Sequence, residues 1–165
     1  MEIVSYSTAM SPTKEMSRKE IDQFLTCSRV GRIGIDLEDG RVYVVPVGFG
    51  YDNGEIFFHS CKSGLKMDAM RNNPKVCFEV DETLSDISMY KSVIIFGKIE
   101  IIKKREKKIP YLQKLIDKYR VPVGFDEYMD KPDRNKKEEL NKIRICVIKP
   151  QKISGKKFVS GNSKF

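Results

Sequence analysis

The chain has no tryptophan and a single histidine, His59. Its four cysteines (Cys27, Cys61, Cys77 and Cys146) are far apart, and none forms a C-x-x-C pair. These absences remove the usual ligand spacings of a zinc centre, so no metal is expected. No apolar run approaches the ~20 residues that a membrane helix needs. The start, MEIVSYSTAM, lacks a basic segment followed by a long apolar core, so no signal peptide is expected. A cytoplasmic setting with reduced thiols follows as the expectation. Cys27, Cys77 and Cys146 read as small buried hydrophobes, and Cys61 lies in a polar bend. Neither G-x-G-x-x-G nor a P-loop lysine motif occurs, which sets aside Rossmann and Walker nucleotide sites. No repeat or low-complexity tract is visible.

What remains is an ordinary globular composition: 165 residues, 40% hydrophobic and 33% charged, enough for one domain with a real core. The net charge of +8 is unevenly spread. Residues 1–100 carry 12 basic and 15 acidic side chains; residues 101–165 carry 19 and 8. The lysines of the basic part lack interleaved aromatics and fall on a helix and a tail. They read as a solvated face rather than a nucleic-acid site.

Residues 56–66, IFFHSCKSGLK, organise the rest. An apolar strand, Ile56 to Phe58, ends in His59 and Ser60, bends through Cys61 to Gly64, and enters a helix over 64–72. A helix start presents unsatisfied N–H groups, and Ser60, Ser63, Gly64, Lys62 and Lys66 crowd it. That combination suits a phosphate or carboxylate. A solvated turn with Ser63 as N-cap accounts for the same residues equally well.

Around this stretch the pattern is mostly β. A capping box, Ser17 and Glu20, opens a helix over 17–27 with Ile21, Phe24 and Leu25 on one face. Strands are predicted over 30–37 and 41–49, joined by Asp39-Gly40, and a turn at Asp52-Asn53-Gly54 leads into the pivotal strand. Pro46 cannot donate to a ladder and marks an edge, a bulge or a stop in pairing. Strands over 75–81, 91–103 (with Gly97 as a bend) and 143–153 follow. An amphipathic helix over 106–120 has Pro110 in its first turn; 121–135 is loop, and a short helix spans 136–140. The expected architecture is a single mainly β domain with helical additions: a six-stranded antiparallel split β-barrel, a helical insertion at 106–140 and a loose tail at 158–165.

The order of these signals resembles a known family. VGRIGIDLEDGRVYVVPVGFGYDNGEIFFHSCKSGLKMDAMRNNPKVCFEVD followed by SVIIFGKIEII is similar to the FMN-binding split-barrel proteins. Within them it most resembles the nitroimidazole-resistance (Nim-type) branch, related to pyridoxamine 5'-phosphate oxidase. ISGKK at 153–157 is similar as well. The resemblance implies a homodimer with FMN at the subunit interface. It implies that Ser60 and Lys66 hold the phosphate, and that the backbone of Val45, Pro46 and Val47 lies along the ring. Ser92 would face the flavin from the partner subunit, and His59 would be the catalytic group, giving or taking a proton. One departure stands out. Oxidase relatives have serine-arginine-lysine where this chain has Gly64-Leu65-Lys66, so one charge is missing, and Lys62 is the candidate replacement.

Three functional readings follow. The first is an FMN-dependent oxidoreductase that takes electrons from a donor and passes them to a small acceptor such as a nitroaromatic. The second is a non-catalytic flavin- or haem-binding or sensing protein on the same barrel. The third uses the basic half on an anionic surface or nucleic acid.

Overall fold

The computed structural model describes residues 13–86, 88–130 and 135–159. Eight strands and five helices are found among them. The helix α1 (Arg18–Cys27) begins as its sequence dictates. Ser17 caps it, and the Glu20 carboxylate accepts from the Ser17 N–H at 2.9 Å. Ile21, Phe24 and Leu25 are buried against the sheet.

The sheet is antiparallel. β2 (Val30–Asp36) pairs with β3 (Val42–Gly48) on one side and β6 (Lys75–Thr83) on the other. β6 pairs with β7 (Met89–Ile102), β7 with β8 (Ile143–Val159), β8 with β5 (Glu55–Cys61), and β5 with β4 (Gly50–Asp52). A short β1 (Lys14–Glu15) adds to β8. The count exceeds the expected six by two: β1 is one, and the other arises because one extended run, 42–52, is broken at Phe49 into β3 and β4. β3 belongs to one end of the sheet and β4 to the other. The chain thus carries the sheet round on itself while β3 and β5 form no ladder, which leaves the barrel split along that line. Pro46 lies in β3, at the edge of the sheet, where a missing N–H does least harm. The Asn53-Gly54 turn into β5 has positive φ at both residues (50° and 80°), which is why that pair stands there.

Long coiled strands need a device for bending. In β7 the register against β8 slips between Phe96 and Gly97. A Cβ on Gly97 would sit 2.5 Å from the Lys149 carbonyl, so only glycine permits this approach. β8 continues to Val159, six residues past its expected end at 153, because Ser154 to Phe158 complete the ladder with β7. The rest of the expected tail, 160–165, lies outside the described residues.

Two apolar clusters hold the fold. Inside the barrel Ile33, Ile35, Ile56, Phe58, Phe78, Val80, Val93 and Ile95 are almost fully buried and meet Met67 and Met70. Each such side chain contributes about 1.5–3 kcal/mol by leaving water. The outer face of β5 and β8 (Phe57, Ile145, Val147) is covered by α3 (Arg105–Lys118), α4 (Phe125–Met129) and α5 (Lys136–Lys142). α4 falls in the segment expected to be loop. Its Phe125 and Met129, four residues apart, are the periodic signal that identifies it. Pro110 sits well inside α3 rather than in its first turn, since the helix starts at Arg105. Buried Lys108 ties this layer down by donating to the Leu140 carbonyl and, at 2.9 Å, to the Ile143 carbonyl.

The last turn of α3 clamps the corner between β3 and β4. The Tyr119 hydroxyl donates to the Arg29 carbonyl at 2.6 Å. Lys118 Nζ donates to the Leu25 carbonyl at 3.2 Å and stands 4.2 Å over the Phe49 ring. Burial there, with a smaller contribution from the Arg29 charge, lowers the Lys118 pKa to about 8. Of the cysteines only Cys146 is buried; Cys77 is half-buried, and Cys27 is exposed rather than internal because it ends α1 on the solvent side.

Candidate functional site

The split meets the bend. β5 runs as a strand through Cys61, so the alternation of faces holds to its end. Ser60 therefore points inward with Phe58 and is 7% exposed, whereas His59 and Cys61 are exposed. His59 and Ser60 therefore lie on opposite faces of the strand. Both still border one cavity of about 400 Å³, because they stand at its rim where the strand gives way to the bend.

That cavity is lined by Tyr43 from β3, by His59 to Cys61, and by Ser63 to Met67. Ser63 does not cap α2 (Leu65–Asn72). The N-cap is Gly64, at φ 114°, and no side chain bonds to the helix start. The first N–H groups of α2 thus face the cavity without a side-chain acceptor. A Cβ at Gly64 would meet nothing within 4 Å, so glycine is there for its dihedral and not for close packing. Ser60 is largely buried but lines the cavity, and among the described residues its hydroxyl makes no hydrogen bond. Ser63 is not the N-cap that the sequence suggested.

The electrostatics are one-sided. Arg71 is neutralised by Asp68 at 2.9 Å and bonded to the Lys62 carbonyl. Among the described residues Lys62 and Lys66 have no carboxylate within ion-pair distance. Lys66 Nζ lies 5.7 Å from the centre of the Phe58 ring. Its charge is felt nearby. The pKa of His59 is lowered from 6.5, first by partial desolvation of a ring that still reaches solvent and then by Lys66, which favours neutral imidazole at pH 7. Burial pushes the Cys146 thiol up to about 12, even though Lys66 and Arg71 pull it the other way. An anion accepting from α2 and Ser60 would meet this field favourably.

The residues proposed from sequence separate into groups. Ser60, Lys66 and His59 come together around the cavity. Lys62 is exposed and does not border it; its backbone N–H instead bonds the Lys142 carbonyl at 2.8 Å. Val45 and Val47 point inward on β3 and Pro46 outward, two to four residues along from Tyr43. They flank the split without lining the cavity. Ser92 pairs with Lys156 at the far end of β8 from Arg144 and Ser60, so one chain does not bring it to the cavity. Sequence reasoning missed Tyr43, whose signal is only that it shares the inward face of β3 with Val45 and Val47.

Comparison with known proteins agrees with this architecture. The family model described as pyridoxamine 5'-phosphate oxidase matches residues 17–157. A crystal structure of a candidate 5-nitroimidazole antibiotic resistance protein from Bacteroides thetaiotaomicron is similar with a TM-score of 0.72. Its sequence is 21% identical, with 88% of this chain and 87% of that chain covered. A protein from Mesorhizobium loti described as FAD-binding is similar with a TM-score of 0.65 at 25% identity, covering 88% and 97%. Among curated proteins, an uncharacterized protein of Rhizobium meliloti (strain 1021) is 29% identical over 85 residues, 52% of this chain. The match spans about half the length of that relative, 54%.

Proposed function

The chain belongs to the pyridoxamine 5'-phosphate oxidase family, and on that premise we propose that it binds FMN and passes electrons from a reductant to a small acceptor such as a nitroaromatic. The observation that carries this reading is the uncapped start of α2 beside the Ser60 hydroxyl, which reaches the cavity, and Lys66, which has no carboxylate partner among the described residues. Donor set and charge both suit a phosphate monoester. Ser60, the first N–H groups of α2 and Lys66 would hold that phosphate. The open edge of β3 around Val45, Pro46 and Val47 would border the ring. FMN supplies the redox chemistry when bound, and the protein supplies position and proton supply. His59, held neutral, is suited to accept a proton at the rim and return it.

The cofactor site would be completed by a second copy of the chain. On the outer face of the sheet Val42, Val44 and Phe96 are half or more exposed, and Ile94 is more than a third exposed. Val44, Gly34, Cys77 and Phe96 are cross-strand neighbours in one row, so an apolar stripe runs across four strands, β3, β2, β6 and β7. Ser92 lies on that same face of β7, two residues from Ile94, and would reach the partner's flavin when the stripe is covered.

The test is the visible spectrum of the purified protein, followed by anaerobic addition of NADH or NADPH and then of a nitroaromatic. A flavin spectrum that bleaches and returns supports the reading. Flavin that binds but never turns over favours a sensing role, and a haem spectrum or no flavin uptake at micromolar FMN overturns it. Sedimentation with and without FMN reports whether dimer and cofactor are linked.

A further inference from the structure

A second cavity, of about 380 Å³, lies where α1, β4 and α3 meet, away from the start of α2. Its walls include Thr26 of α1, Gly50 and Tyr51 of β4, Phe57 of β5 and Lys118 of α3. Phe57 and Gly50 are buried and make one wall apolar. Nothing larger than glycine fits at 50, where a Cβ would lie 2.2 Å from the Phe57 ring. A concave, partly apolar space of this size suits a small organic ligand.

The polar groups around it are matched to one another, with one exception. Lys114 is paired with Asp52. The Tyr51 hydroxyl donates to Asp22 and accepts from Arg18 at 3.2 Å. Among the described residues Lys118 has no carboxylate within ion-pair distance. Its Nζ stands 4.2 Å over the Phe49 ring and donates to the Leu25 carbonyl at 3.2 Å. Leu25 and Phe49 directly precede Thr26 and Gly50, so the amine is held between two segments that wall the cavity. Burial leaves it with a pKa of about 8; on the α1 side Arg29 adds to this lowering and Cys27 opposes it. About a tenth of the amine is then neutral at pH 7. A desolvated lysine without a carboxylate partner is the form in which an amine attacks a carbonyl carbon.

We propose that this cavity is a second ligand site, in which the Lys118 amine forms a reversible imine with a small aldehyde that carries an apolar body. The nitrogen lone pair forms the C–N bond. The carbonyl oxygen leaves as water, with protons passed from the amine through solvent, and no oxidant or reductant takes part. The protonated imine keeps one N–H for the Leu25 carbonyl, so the hydrogen bond that orients the amine survives the reaction. The apolar body lies against Phe57 and Gly50. The assignment does not rest on the flavin reading.

The experiment incubates the full chain with benzaldehyde at pH 7.5, traps imines with cyanoborohydride and locates benzylated amines by peptide mass mapping. Lys118 is expected to react roughly 100-fold faster than the exposed lysines, because a pKa of about 8 in place of the ordinary 10.5 leaves that much more neutral amine. Its rate should saturate with benzaldehyde and should fall when benzyl alcohol, which has the same body and no carbonyl, is added. Lys118→Arg keeps a cation over Phe49 and should lose the adduct. Adducts spread over the exposed lysines with no excess at 118 overturn the proposal. So does a fast Lys118 adduct whose rate is linear in benzaldehyde and indifferent to benzyl alcohol, since that is a reactive amine without a ligand site. The wild-type mapping decides the matter even if the arginine variant does not fold. None of these outcomes bears on FMN uptake, which the flavin spectrum reports separately.

Discussion

Replacing Lys66 by alanine separates the role of its charge toward a ligand from its role in the fold. In the free protein Lys66 has no carboxylate partner, and its one aromatic contact is the Phe58 ring at 5.7 Å. Such a contact is worth ~0.5–1 kcal/mol. For a chain of this size that lowers Tm by only about 1–4 °C. Toward a bound phosphate the same ammonium would make a charge-assisted hydrogen bond of about 1.5–3 kcal/mol, in the first turn of α2 where the helix dipole adds to it. FMN affinity should therefore fall by roughly one to two orders of magnitude. Lys62→Ala is the internal control. Its side chain is exposed and away from the cavity, and an exposed charge contributes ~0–1 kcal/mol, or less than about five-fold. Quenching of flavin fluorescence gives both affinities, with riboflavin reporting ring binding alone. If Lys62→Ala proves the more damaging change, or if Lys66→Ala weakens riboflavin as much as FMN, the phosphate is not at the start of α2.

Other tests address separate parts of the structure. His59→Ala should retain FMN and slow acceptor reduction per bound flavin by ~10²–10⁴-fold; unchanged turnover per flavin would remove His59 from the site. Lys118 has a folded-state pKa near 8 against 10.5 in the unfolded chain, so between those values the unfolded state holds more protons and stability rises with pH. Urea melts of wild type and Lys118→Met should diverge in this sense between pH 8 and 10, and parallel curves would contradict it. A Cβ at position 50 would lie 2.2 Å from the Phe57 ring, which is packed beneath α3, so Gly50→Ala should cost about 1–3 kcal/mol and lower Tm by several degrees. Phe96→Asp places a charge in the exposed stripe, and should produce monomers by sedimentation and weaken FMN uptake without lowering monomer stability; a persistent dimer would move the interface elsewhere.

Local chemistry was legible in the sequence alone. The capping box at Ser17 and Glu20, the Asn53-Gly54 turn, the glycine at 97 and the period-two strands all depend on neighbours a few residues apart, and each is where the pattern puts it. The bend that ends β5 and starts α2 was visible for the same reason, as was the split-barrel resemblance that the family match supports. Contacts between distant segments decided the rest. Whether Ser63 or Gly64 caps α2 depended on where β5 stops, and that is set by its ladder with β8 rather than by the bend. The extra length of β8 came from its pairing with β7, and the solvent side of Cys27 from how α1 lies on the sheet. Lys62 and Tyr43 show the division most clearly. Lys62 is four residues from Lys66 in sequence, yet its side chain is away from the cavity. Tyr43 is far away in sequence, yet the closing of the sheet brings it to the cavity wall with Ser60. Sequence spacing describes proximity along one strand or helix; proximity across a sheet exists only once the register is fixed by burial of the barrel core.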